Sequence, residues 1–319
     1  MKVLLRERDL SDDYIRFAQQ IGADGFDLHN EALIPGCKEQ GYPDLDGLLR
    51  LKERLLAAGL GIFRVAPPVP RRFLFGQPGG EQEVDHLCRT VEVLGRAGIP
   101  IMSVPLDYYN SGYRGGAQVE HRGGYKMYGF DPEVMRKRLR EEPYEIPSVE
   151  DYWPRCVHLY ERLVPVAERT GVKLVAHPSD PPLPETHISP RRWAALLDAV
   201  PSDQSGMLYC VGTRYESGVN IFEDIRYFGR KGKIFHVHFR NVRGTIPTAG
   251  GYEEVALDDG DMNMFRVLQT LKEVGYDGCL QLDHMPGYIG DSPNQERAWA
   301  YAVGYVKGLL AALKASSGE

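Results

Sequence analysis

The sequence predicts a (β/α)8 TIM barrel, an α/β fold in a single domain, and three observations carry that expectation. Eight short apolar runs alternate with helical patterns along the 319 residues, which is the signature of a parallel sheet with crossover helices. No stretch of altered composition divides the chain into two units. The length also lies within the roughly 200 to 400 residues that such barrels span.

The elements follow in order. Lys2 to Leu5 reads as the first strand. Ser11 caps the helix behind it, and Asp12 and Asp13 stand in the first turn, where the helix dipole favours acids. Tyr14, Ile15, Phe17, Ala18 and Ile21 recur at helical spacing until Gly22. Gly25 to His29 is the second strand, with Asp27, His29 and Asn30 near its end. Asp44 starts a helix that runs to Ala58, and Gly59 stops it. Ile62 to Ala66 is the third strand, followed by the stiff run Pro67-Pro68-Val69-Pro70. Glu81 to Ala97 is helical, and Ile99 to Val104 is the fourth strand.

The rhythm then breaks. Residues 107–150 are polar, rich in Gly, Tyr and Arg, and without a sustained period. An insertion this long in a barrel is expected to cover the active site. Arg114, His121, Arg122 and Tyr125 stand in it beside glycine pairs, as cations and ring groups for an anionic substrate. Asp151 to Arg169 is helical, with Pro154 in its first turn and Pro165 expected to kink it.

From Val172 the alternation resumes. Val172 to His177, Met207 to Cys210, Ile234 to Phe239 and Cys279 to Asp283 are the last four strands. Pro190 to Ala199, Ile221 to Gly229 and Asp261 to Val274 are the helices between them, Asp261 being placed to cap the third. Asn294 to Lys314 closes the chain, with Trp299, Val303, Val306, Leu309, Leu310 and Leu313 on one face.

Each of these four strands ends in a metal-binding side chain: His177, Cys210, His238 and Asp283. Barrel sites form at the carboxyl ends of strands, so the four should point into one space. Imidazole, thiolate and carboxylate are the usual protein ligands of a divalent transition metal. Singly, each has a blander reading, since a lone buried Cys is mostly a small core hydrophobe. His236 shares the parity of His238. His238 is preferred as the ligand because it lies nearer the strand's end, and His236 is left as a packed or supporting residue. His86 and His158 fall in helical patterns and His187 in a loop.

The totals exclude several classes. Net charge is −6 and no long basic run occurs, which disfavours a nucleic-acid partner. No run approaches the ~20 apolar residues of a membrane span. The five cysteines are scattered and form no CxxC, as expected for a reducing, cytoplasmic location. The N-terminus lacks the apolar core of a signal peptide. The subunit count is left open, a homo-oligomer being allowed.

The segments His177-Pro178-Ser179-Asp180-Pro181-Pro182, Cys210-Val211-Gly212-Thr213, His238-Phe239-Arg240-Asn241-Val242, Gly260-Asp261-Met262-Asn263-Met264 and Asp283-His284 occur in this order. Together they resemble mannonate dehydratase, of the xylose-isomerase-like barrel superfamily, and the likeness runs from Gly59 to Leu310. Ser179 and Asn263 stand where that family commonly has acids. The resemblance implies a bound Mn2+ ion and the loss of water from D-mannonate to give 2-keto-3-deoxy-D-gluconate. It places the metal ligands on His177, Cys210, His238 and Asp283, and the acid/base histidine on His284. Its catalytic tyrosine has Tyr288 as the nearest candidate.

Such chemistry needs a metal to stabilise the enediolate formed when the C2 proton leaves, a base for that proton and an acid for the C3 hydroxyl. His284 and Tyr288 are expected to share the base and acid roles, beside Asp283. Arg240, with Arg114 or Arg122, is expected to position the carboxylate. Asn241 and Glu254 complete the expected substrate contacts, Glu254 as a partner of the site or of a hydroxyl. The donor set also suits Zn2+, Fe2+ or Co2+. Two rivals are a metal-dependent ketose isomerase or epimerase, in which a Cys ligand is unusual, and a sugar-acid binding protein without an acid/base pair.

Overall fold

The computed structural model describes residues 1–106, 115–143, 147–316 and 318. In chain order its strands are β1 (Lys2–Arg6), β2 (Gly25–Leu28), β3 (Gly61–Val65), β4 (Ile101–Ser103), β5 (Gly116–Glu120) and β6 (Lys126–Phe130). They continue with β7 (Lys173–Ala176), β8 (Ser205–Cys210), β9 (Ile234–His238), β10 (Asn241–Arg243), β11 (Tyr252–Val255) and β12 (Cys279–Gln281). Eight of them close a barrel in the order β1-β12-β9-β8-β7-β4-β3-β2, and the barrel pairs are parallel. These eight are the segments whose apolar runs predicted strands.

Local chemistry sets the helix ends. The Ser11 hydroxyl accepts from Tyr14 N at the start of helix Asp12–Gln20, and Asp44 accepts from Gly47 N at the start of Leu45–Ala57. Helix Val149–Thr170 begins earlier than expected, at the Ser148 cap, so Pro154 lies beyond the first turn. It runs on through Pro165, the residue expected to kink it, to Thr170. Asp261 does not cap the following helix. Asn263 does so for Met264–Glu273, accepting from Arg266 N, and Asp261 instead accepts from Gly244 N.

The described part of the insertion, residues 115–143, is more ordered than its lack of period suggested. β5 and β6 form a hairpin, and helix Pro132–Glu141 follows. β6 pairs with β11, and β11 with β10, giving an antiparallel sheet ordered β10-β11-β6-β5. The period was hidden because the hairpin's partners lie more than a hundred residues later. Arg114 lies outside the described residues.

The main core lies between barrel and helices, around Trp193, Trp299, Leu163 and Tyr209. Trp193 Nε1 donates to Ala176 O at 2.8 Å, which anchors the end of β7. Inside the barrel, Ile101, Val175 and Leu208 form a small apolar layer. Beside it Asp27, Arg64 and His236 are buried together: Arg64 Nε donates to Asp27 at 3.0 Å and His236 Nε2 lies 2.6 Å from the same oxygen. Burial opposes the Asp27 charge, but His236 and Arg64 hold its carboxyl well below the usual range. His236 is thus a barrel-interior residue, as its parity allowed. Among the described residues no helix is long and apolar enough to cross a membrane.

β2 and β3 approach closely at Gly25, where an added Cβ would sit 2.1 Å from Gly61 O. Gly25→Ala is therefore expected to destabilise the protein by about 1–3 kcal/mol, read as a lower midpoint in urea unfolding. An unchanged midpoint would mean that the strands part there without cost.

Candidate metal centre and substrate cavity

The four predicted ligands converge. Each of His177, Cys210, His238 and Asp283 offers one ligand atom, and these atoms all lie within 4.8 Å of one another. The carboxyl ends of β7, β8, β9 and β12 bring them there. Asp27, His236 and His238 form a second such group, but Arg64 already bonds Asp27.

The donor set fits a metal ion. His177 Nδ1 donates to Pro178 O at 2.5 Å, leaving Nε2 as the lone-pair nitrogen. His238 Nδ1 is buried, has no hydrogen-bond partner among the described residues, and lies 3.3 Å from Asp283 Oδ2. Thr213 Oγ1 donates to Cys210 Sγ at 3.1 Å. Burial pushes the Cys210 thiol up and the His177 and His238 imidazoles down, so without an ion these groups favour their neutral forms. Arg64 Nη2 lies 3.2 Å from His238 Nε2. An ion on Nδ1 would put the ring hydrogen on Nε2, so ring and guanidinium must part there.

Arg240 stands behind the cluster and is 2% exposed. Its Nη1 lies 2.5 Å from Glu216 and 3.5 Å from Glu254, its Nη2 lies 2.7 Å from Asp180, and its Nε lies 3.6 Å from Asp283. Gly212 makes room for it, since a Cβ there would meet Arg240 at 2.6 Å. Burial disfavours the Arg240 charge, but the surrounding groups more than offset that. Burial pushes the Glu216 carboxyl well above its usual range. Asp180 also accepts from Tyr252 OH at 2.7 Å.

His284 follows directly on Asp283. Its Nδ1 lies 2.7 Å from Glu254 Oε1 and its Nε2 3.5 Å from Asp283 Oδ2. Burial works against its charge, but Asp283 and Glu254 raise it to about 10. β11 supplies both Glu254 and Tyr252, so the antiparallel sheet reaches into the site.

These groups open onto a cavity of about 490 Å³. His177, His238, Asp283, His284, Asp180 and Glu254 line one part of it. Gln118, Lys126, Met127 and Tyr128 line it from the hairpin β5–β6. Arg6, His29 and Gln295 also line it.

Several expected contacts are not there. Tyr288 does not line the cavity; it packs edge-on against Tyr125 and Tyr301, at 5.8 and 6.1 Å between ring centroids. Arg122 is exposed and held by Asp258 at 2.7 Å. Arg240 is consumed by acids rather than turned to the cavity. Asn241 is buried and staples the turn beyond it, donating to Leu257 O and Met262 O and accepting from Val242 N and Met262 N. Conversely, Arg6, Lys126, Gln118 and Tyr128 were not singled out. For Arg6 a signal existed, a cation at the carboxyl end of the strand Lys2–Arg6, after the apolar run Val3-Leu4-Leu5.

A family model described as D-mannonate dehydratase (UxuA) matches residues 116–318. Mannonate dehydratase from Thermotoga petrophila is 26% identical over 279 residues, covering 75% of this chain and 77% of that protein. Mannonate dehydratase 2 from Halalkalibacterium halodurans is 29% identical over 170 residues, 51% of this chain and 49% of that one. The crystal structure of mannonate dehydratase from Streptococcus suis superposes with TM-score 0.83 at 22% identity, covering 100% of this chain and 96% of that chain. A D-psicose 3-epimerase from Clostridium cellulolyticum superposes at TM-score 0.64 and 14% identity, over 97% and 99% of the two chains, and shares the barrel.

In the ion-free protein Glu254→Gln removes one of the two carboxylates that hold the His284 charge. Its pKa is expected to fall from about 10, read from imidazole shifts in an NMR titration. An unmoved value would show that Asp283 alone sets it.

Proposed function

The chain belongs to the D-mannonate dehydratase family, and from that membership we propose that it is a hydro-lyase converting D-mannonate to 2-keto-3-deoxy-D-gluconate at the cavity above β7, β8, β9 and β12. The observation that carries this reading is the convergence of His177, Cys210, His238 and Asp283 beside His284 in one cavity. A four-residue donor set containing a thiolate, next to an acid/base histidine, suits metal-assisted dehydration.

His177, Cys210, His238 and Asp283 would hold the ion, taken here as Mn2+. When bound, it supplies Lewis-acid stabilisation of the charge that builds on the substrate carboxylate. The carboxylates Asp180, Glu254 and Asp283 outnumber the two protein cations they face, Arg240 and His284, so a bound cation suits the site.

Dehydration breaks the C2–H bond and the C3–O bond. The C2 electrons form the double bond, hydroxide leaves C3 with its bonding pair and takes up a proton as water, and the enol settles as the 2-keto acid. His284 is the group placed to move one of these protons. Glu254 fixes its Nδ1, so Nε2 faces the cavity side, next to Asp283. An ion on Asp283 would weaken one of the two attractions that keep His284 charged, bringing its pKa toward the working range. Tyr288 packs against Tyr125 and Tyr301, whereas among the described residues Tyr128 is a tyrosine that lines the cavity and is the candidate for the other proton.

The test is to strip the protein of metal, add D-mannonate with and without Mn2+, and assay a 2-keto-3-deoxy acid. Product that depends on Mn2+ is expected; none with any divalent metal would sink the reading. His284→Asn is expected to lower kcat by about 10²-fold or more with Mn2+ affinity unchanged, whereas Cys210→Ser is expected to weaken Mn2+ binding. A fully active His284→Asn enzyme would overturn its role.

A further inference from the structure

We propose that Arg6 holds the carboxylate of the sugar acid, an assignment that rests on the dehydratase reading and adds to it the anion subsite. The strand geometry places it. Arg6 is the last residue of β1 and pairs in register with Asp27, the interior acid of β2. Alternation puts Leu4 and Arg6 on one face, and Leu4 pairs with Gln281 on β12. Leu282 N donates to Leu4 O, so the ends of β1 and β12 run side by side. Arg6 therefore emerges next to Asp283 and His284, and its side chain lines the same cavity.

Charge accounting points to the same residue. Asp180, Glu254 and Asp283 line the cavity, and an incoming carboxylate meets their field. A metal on the ligand cluster offsets part of it, and protein cations must supply the rest. Among the described residues the neighbouring cations are engaged. Arg240 is surrounded by Glu216, Asp180, Glu254 and Asp283. Arg64 bonds Asp27, Ser103 and His29, and Arg8 bonds Gln295. Lys126 is exposed and paired with Glu120 at 3.2 Å. Among the described residues the Arg6 guanidinium has no hydrogen bond or ion pair, although the residue is partly buried. Its planar fork matches a carboxylate bidentately.

The position also bears on the reaction. As the C2 proton leaves, the electrons of the C2–H bond spread onto the carboxylate oxygens, which gain charge. A guanidinium already bonded there binds that state more tightly than the ground state. Arg6 is thus expected to affect kcat as well as KM.

The experiment compares Mn2+-loaded wild type with Arg6→Met and Arg6→Lys. For Arg6→Met, KM for D-mannonate is expected to rise about 10–100-fold, with a lower kcat and unchanged Mn2+ affinity. Arg6→Lys, which keeps the charge without the fork, is expected to fall between the two. Methylguanidine added to Arg6→Ala is expected to restore part of the activity, which a purely structural role would not allow. Calorimetry with D-gluconate and with D-mannitol gives a readout free of turnover. Wild type is expected to prefer the acid, and Arg6→Met to lose that preference. If D-mannonate is turned over yet Arg6→Met keeps KM and D-gluconate affinity within twofold, the Arg6 assignment is wrong and the dehydratase reading stands. If wild type binds D-gluconate through Arg6 but dehydrates nothing, the subsite stands and the dehydratase reading falls. A wild type that neither binds nor turns over sugar acids overturns both.

Discussion

The site depends on one buried guanidinium. Arg240 leaves β9 two residues after His238 and meets Asp180 from the loop after β7, Glu216 from the helix after β8, Glu254 from β11 and Asp283 after β12. Four separate segments are thereby tied to one planar group. Two of the tied residues, Asp283 and Glu254, are also the carboxylates beside His284. Breaking a buried pair of this kind by removing one partner typically costs about 3–5 kcal/mol, because the other charges are left uncompensated. The acids are therefore held in position even without an ion, and the ligand cluster sits at the edge of that array.

Below this array lies a second buried polar layer, Asp27, Arg64 and His236. It touches the site through Arg64, which reaches both His29 and His238. The barrel interior is thus apolar around Ile101, Val175 and Leu208 and polar where the strands turn toward the cavity. Tertiary packing makes this affordable: in that layer the Asp27 carboxylate has both Arg64 and His236 at hydrogen-bond distance, as burial demands.

The insertion gives the cavity its remaining wall. A hairpin from residues 116–130 adds to strands that follow β9, and the resulting sheet carries Tyr252 and Glu254 to the site while Gln118, Lys126 and Tyr128 line the space above it. The same sheet explains why neither Arg122, expected at the substrate carboxylate, nor Tyr288, expected as an acid/base group, lines the cavity. Arg122 is captured by Asp258 beyond β11, and Tyr288 completes an aromatic cluster with Tyr125 and Tyr301.

Periodicity and strand-end chemistry by themselves determined the barrel, its eight strands and the convergence of four side chains able to bind a metal. These features are local: an apolar run specifies a strand, and a polar side chain at its carboxyl end is delivered to the common mouth of a barrel whatever its distant neighbours are. The ordering of residues 115–143 was not legible, because β6 finds its partner in β11 and nothing within the hairpin announces that pairing. Nor was the choice among arginines. Arg240 carries the more suggestive motif, but only the folded chain brings four acids around it and leaves Arg6 facing the cavity. Which cation is spent on the protein and which remains for a ligand depends on contacts between segments far apart in sequence, and those contacts exist only in the tertiary structure.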